Sequence, residues 1–96
     1  MKNKVGKKTR SVFHDLGFNK AEAENLRIRA AMMNALIACI EEQKLTQTQA
    51  AKLLGVSQPR VSGLMRGKVH LFSIDTLVNL LSAAGLTIDL RVRKAA

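Results

Sequence analysis

The chain of 96 residues has no tryptophan and no tyrosine, and only three phenylalanines, Phe13, Phe18 and Phe72. So few aromatic rings argue against recognition of RNA or single-stranded nucleic acid by base stacking, which needs exposed aromatic platforms. Cys39 is the single cysteine. An intramolecular disulfide and a cysteine-based metal site are therefore excluded, and within the apolar run 38–40 the thiol is expected simply to pack. The two histidines, His14 and His70, are far apart, and no Ser–His–Asp order, HExxH, P-loop or GxGxxG occurs. No enzyme is expected, and no catalytic residue, metal or cofactor. No apolar run reaches the ~18 residues needed to span a membrane. The basic N-terminus has no apolar run behind it, unlike a secretory signal. A cytoplasmic location is the expectation.

Acids are also scarce. Sixteen Lys and Arg stand against seven Asp and Glu, a formal net charge of +9. Residues 1–10 hold Lys2, Lys4, Lys7, Lys8 and Arg10 and no acid, and residues 43–74 hold Lys44, Lys52, Arg60, Arg66 and Lys68 and no acid. Between them, residues 21–43 are close to balanced. Positive charge gathered in two segments points to a polyanionic partner. The composition, 47% hydrophobic, is that of one small globular domain. A chain of this size buries only roughly 60–68% of its unfolded surface, so oligomerisation would help it.

The second acid-free segment contains TQTQAAKLLGVSQPRVSGLMRGK, residues 46–68. Thr46 and Gln49 have capping-box spacing, and Leu45 and Ala50 that of a hydrophobic staple. A helix is therefore predicted from Gln47 to Leu54. Gly55 stops it, because glycine accepts the left-handed conformation without steric cost. Val56 fills the space under the turn. Ser57 can cap a second helix whose first turn tolerates Pro59. Gln58 precedes the proline and is pushed away from helical angles, so that helix begins at Gln58 or one residue later.

This unit resembles the helix-turn-helix of the lambda-repressor-like (XRE) family. Counting from Gln47, a small residue (Ala51) comes fifth, glycine (Gly55) ninth, and core-facing Val61 and Leu64 fifteenth and eighteenth. Residues 41–84 look like the rest of such a domain. The wording from Gly55 to Leu90, with SQPRVSGLMRGK and LFSIDTLVNLLSAAG, is most similar to HigA-type antitoxins. The first 18 residues lie outside the resemblance. It implies a mainly α, helix-turn-helix bundle that binds double-stranded DNA.

Three segments follow. Residues 1–18 are expected to form a basic, flexible arm ending in a small cluster of Phe13, Leu16 and Phe18. Residues 19–85 form the helical DNA-binding domain, with the helix-turn-helix at 46–67. Asn19 and Glu22 have capping-box spacing, with Phe18 and Ala23 as staple. Leu26, Ala30, Met33, Ile37 and Ile40 then recur as an amphipathic helix reaching about Gln43, its stripe widened by Met32 and Leu36. Later, Phe72 and Leu77 flank Ser73 as staple and cap of a helix lined by Leu77, Leu80, Leu81 and Ala84. Gly67 and Gly85 end their helices. Beyond Gly85 the period changes. Leu86, Ile88, Leu90 and Val92 alternate with polar residues, as in a half-buried β-strand over 86–93.

A lone strand needs a partner for its backbone N–H and C=O groups. The same strand of a second copy, antiparallel across a two-fold axis, is the first expectation, making Leu86, Ile88, Leu90 and Val92 a homodimer interface. A strand of another protein, or weak pairing with residues 1–12, are the alternatives.

With Val61, Leu64 and Met65 facing inward, Gln58, Arg60, Ser62, Gly63 and Arg66 are left for DNA. Gln58 suits adenine, and Arg60 suits guanine O6 and N7. Residues at the helix start reach base edges in this motif, so Gln58, Pro59 and Arg60 come first, and the cap Ser57 is counted among the DNA-binding residues beside them. Ser62 suits a base or a phosphate, and Gly63 would allow DNA a close approach. Thr46, Gln47, Lys68 and Lys52 are phosphate candidates, Gln47 aided by the helix dipole. The expected function is a repressor that occludes a palindromic operator. The HigA resemblance implies more: an antitoxin that neutralises a RelE-like, HigB-like toxin and autoregulates the shared operon. A stand-alone, phage-like XRE repressor and a protein-interaction module without DNA binding are the rival readings.

Overall fold

A computed structural model describes residues 19–95. The expected basic arm and the Phe13, Leu16, Phe18 cluster, including the Phe18 staple, lie outside the described residues. Four α-helices follow in order: α1 (Lys20–Glu42), α2 (Gln47–Leu54), α3 (Gln58–Met65) and α4 (Ile74–Ala83), with a 3-10 turn at Val69–Leu71 before α4.

The helix starts sit where short-range side-chain chemistry places them. Asn19 Oδ1 accepts from the Glu22 backbone N–H at 2.7 Å, and Glu22 Oε1 accepts from the Asn19 N–H at 3.0 Å. Ser73 Oγ accepts from the Thr76 N–H at 3.2 Å and caps α4. Each such pair satisfies backbone donors that helix geometry leaves without partners. The ends of α1 and α4 share one closure, in which a residue of positive φ turns the chain back. After α4 that residue is Gly85 (φ 81°), and the Leu86 N–H donates to Leu81 O at 2.9 Å. After α1 it is Lys44 (φ 55°), and the Leu45 N–H donates to Ile40 O at 3.1 Å.

The core draws on every helix. Met33, Leu36 and Ile40 of α1 meet Ala50 and Leu54 of α2, Val61 and Leu64 of α3, Phe72, and Leu77, Leu80 and Leu81 of α4. Helix α1 packs on α4, on the 3-10 turn and on α3, while α2 packs on α3 and α4. The buried stripe of α1 differs from the expected one. Leu36 lies at its centre, Ile37 is on its shoulder and Ala30 is exposed. Spacings of three and four residues both follow a helix face, and the partners α4 and α3 decide between them.

The C-terminal β-strand is not present. Among the described residues no strand occurs, and residues 86–95 carry no regular secondary structure. Leu86 and Ile88 are exposed, and Leu90 and Val92 are each 84% exposed. The alternating pattern encodes a face, but a strand forms only when another backbone supplies its hydrogen bonds.

Candidate nucleic-acid interface

The α2–turn–α3 unit is built almost entirely by local chemistry. Thr46 Oγ1 accepts from the Gln49 N–H at 3.1 Å, and Gln49 Oε1 from the Thr46 N–H at 2.9 Å. Gly55, at φ 71°, ends α2, and its N–H donates to Ala51 O at 2.9 Å. Ser57 then caps α3, its Oγ accepting from the Arg60 N–H at 3.3 Å. Helix α3 starts at Gln58, so Pro59 falls in the first turn, where its missing N–H costs nothing. At the other end Gly67 takes φ 73°, and the Lys68 N–H donates to Gly63 O at 3.0 Å. That is the six-to-one bond of a Schellman motif.

Val61 and Leu64 are 1% exposed and hold α3 to the core, with Met65 packed beside them. The exposed residues of the unit are mostly polar, with Leu53 of α2 40% exposed among them. Thr46, Gln47 and Lys52 are exposed on α2, and Ser57, Gln58, Pro59, Arg66 and Lys68 at the two ends of α3. Ser62 is half-buried. Among the described residues the one ion pair joins Arg27 to Glu24 on α1, at 2.7 Å. The hydrogen bond from Arg27 also holds the Glu24 carboxyl below its usual range. Among the described residues, no cation of the α2–α3 unit takes part in an ion pair.

Two of the expected residues sit differently from the expectation. Gly63 is buried, and a Cβ on it would stand 3.0 Å from Leu71 Cδ1. It faces the 3-10 turn, and the close approach it permits is to Leu71 rather than to the outer face. Arg60 is half-buried, and its guanidinium lies over the Phe72 ring, 4.8 Å from the centroid.

Arg29 lies within the charge-balanced residues 21–43, and nothing in the sequence singles it out. Its Nη1 donates to Val69 O at 3.1 Å and to Phe72 O at 3.4 Å, while its Nε donates to Asn25 Oδ1 at 2.6 Å. It thus ties α1 to the segment that follows the helix pair. No local signal marks it, because both acceptors are backbone carbonyls at least 40 residues away.

Comparison with known proteins agrees with this geometry. A helix-turn-helix domain family matches residues 12–93. An uncharacterized HTH-type transcriptional regulator of Haemophilus influenzae is 31% identical over 81 residues, covering 81% of this chain and 82% of the relative. A solved structure described as an XRE-family transcriptional regulator superposes with a TM-score of 0.70 at 36% identity, over 76% of this chain and 82% of the other. With its two capped helices, glycine turn and inward Val61 and Leu64, the chain belongs to the XRE-like helix-turn-helix family of transcriptional regulators.

Proposed function

We propose that this protein is a homodimeric repressor that binds a two-fold operator through α2 and α3, and that it is the antitoxin of a HigBA-like type II toxin–antitoxin system. The observation that carries DNA binding is the acid-free α2–turn–α3 unit, with Gln47, Gln58, Arg66 and Lys68 exposed on it. In this reading Gln58, Pro59 and Arg60 address base edges, with Ser62 beside them. Thr46, Gln47, Ser57, Arg66 and Lys68 hold phosphates, and residues 1–18 add further phosphate contacts as a basic arm. The exposed apolar positions Leu86, Ile88, Leu90 and Val92 support dimerisation through the C-terminal segment. Pairing with a second copy would cover them and supply the missing ladder partner. The antitoxin role rests on the HigA-like wording of residues 55–90. In this reading the protein works in the cytoplasm beside a RelE-like toxin.

The test is selection of duplexes from a randomised pool, followed by a salt titration of the selected one and recovery of the protein from its own cells. The proposal predicts an enriched palindrome, a log affinity that falls linearly with log salt, and a co-purifying small protein encoded by the neighbouring reading frame. Enrichment without that partner would make it a stand-alone repressor. No enrichment would reduce the helix pair to a protein-interaction module.

A further inference from the structure

The Arg60 side chain does not stand free. Its guanidinium carbon is 4.8 Å from the centroid of the Phe72 ring, within the range of a cation–π contact. The ring is 1% exposed, so the arginine belongs to the cover that keeps it dry. Phe72 is itself immobilised from several sides. Its carbonyl accepts from Arg29 Nη1 at 3.4 Å, its N–H donates to Val69 O at 3.1 Å, and it precedes Ser73, the cap of α4. Leu77, its staple partner, has no exposed surface. At the other end of Arg60, the backbone N–H is held by Ser57 Oγ at 3.3 Å. The residue is thus fixed at the backbone by a cap and at the guanidinium by an immobile ring.

A guanidinium placed over a ring can use its face there and keep its edge, which carries the five N–H donors, for a planar acceptor pair. A long side chain already held over a ring loses less freedom when it meets a base. We propose that Phe72 is a positioning residue for base recognition: it pre-organises the Arg60 guanidinium, so that discrimination at one base pair of each half-site depends on a buried ring that touches no DNA. The inference rests on the reading of α3 as the DNA-reading helix.

The test uses the full chain and a duplex selected from a randomised pool. Affinity is measured for that duplex, for versions changed at single base pairs, and for a scrambled one, with wild type, Phe72→Leu, Arg60→Ala and the double variant. Arg60→Ala identifies the base pair in question. Phe72→Leu is expected to lower the preference at that pair by about tenfold. Its affinity for scrambled DNA should not change, and it should have no further effect on preference in the Arg60→Ala background. A general weakening of the fold would move both affinities together. A folded Phe72→Leu protein that keeps the full preference overturns the proposal while the reading of α3 stands. If Arg60→Ala also leaves every preference unchanged, the reading of α3 falls, and the proposal with it. Should Phe72→Leu fail to fold, wild-type NMR decides. The Arg60 δ-protons must show an upfield ring-current shift both free and bound to the selected duplex. Unshifted resonances in the bound state overturn the proposal.

Discussion

Gly63 and Leu71 meet so closely that a Cβ on the glycine would stand 3.0 Å from the leucine Cδ1. The glycine lies in the middle of α3 and lowers its helix propensity, which implies that packing against the 3-10 turn sets its identity. Alanine there gains about 1 kcal/mol of propensity and loses part of it to the contact. Leu71 is 41% exposed, so its side-chain end can shift by the few tenths of an ångström required. Gly63→Ala is therefore expected to unfold in urea within about 1 kcal/mol of wild type. Gly63→Val, with two more carbons to place, should lose about 1–3 kcal/mol. A valine variant as stable as wild type would show that Leu71 does not confine this position.

Lys44 holds φ 55° at the end of α1, in the region that costs L-residues about 1–2 kcal/mol. Glycine avoids that cost but adds chain entropy to the unfolded state. Lys44→Gly is expected to raise stability by about 0.5–1 kcal/mol, read as a higher midpoint in thermal circular dichroism. A lower midpoint would mean that the lysine side chain contributes more than its backbone strain costs.

Arg29 is the tie between α1 and the segment after α3. Arg29→Gln removes a charged donor from two carbonyls and should cost about 1.5–3 kcal/mol in urea unfolding. Hydrogen exchange should quicken first at the N–H groups of Leu71 and Phe72, which bond within that segment. Unchanged exchange there would make the contact a passive one.

What was legible in the sequence was local. Asn19 with Glu22, Thr46 with Gln49, and Ser57 before Pro59 act over three residues, and Gly55, Gly67 and Gly85 act on their own backbone. All are found where expected. The contacts that place α3 were not legible. Arg29 with Phe72, Arg60 with Phe72, and Gly63 with Leu71 each join residues that meet only once the helices pack. Leu36, expected only to widen the α1 stripe, lies at its centre for the same reason. The segment beyond Gly85 fails differently: its alternation marks one face, yet a strand forms only where another backbone supplies its hydrogen bonds.

Dimerisation is testable at that segment. Leu90→Pro removes one ladder N–H and an apolar side chain together. The variant is expected to sediment as a monomer, or as a much weaker dimer, at micromolar concentration, with its helical circular dichroism intact. It should also lose most operator affinity, because the recognition helices of a dimer must lie ~34–36 Å apart to read adjacent half-sites. A Leu90→Pro protein that remains fully dimeric would exclude this interface.

Whether α3 reads DNA sequence is decided by titrating wild type and Arg60→Ala against the selected duplex and a scrambled one at one salt concentration. Arg60→Ala is expected to lose about 1–3 kcal/mol on the selected duplex and much less on the scrambled one, so that preference narrows at one base pair of each half-site. Identical titrations of the two proteins on both duplexes would contradict it.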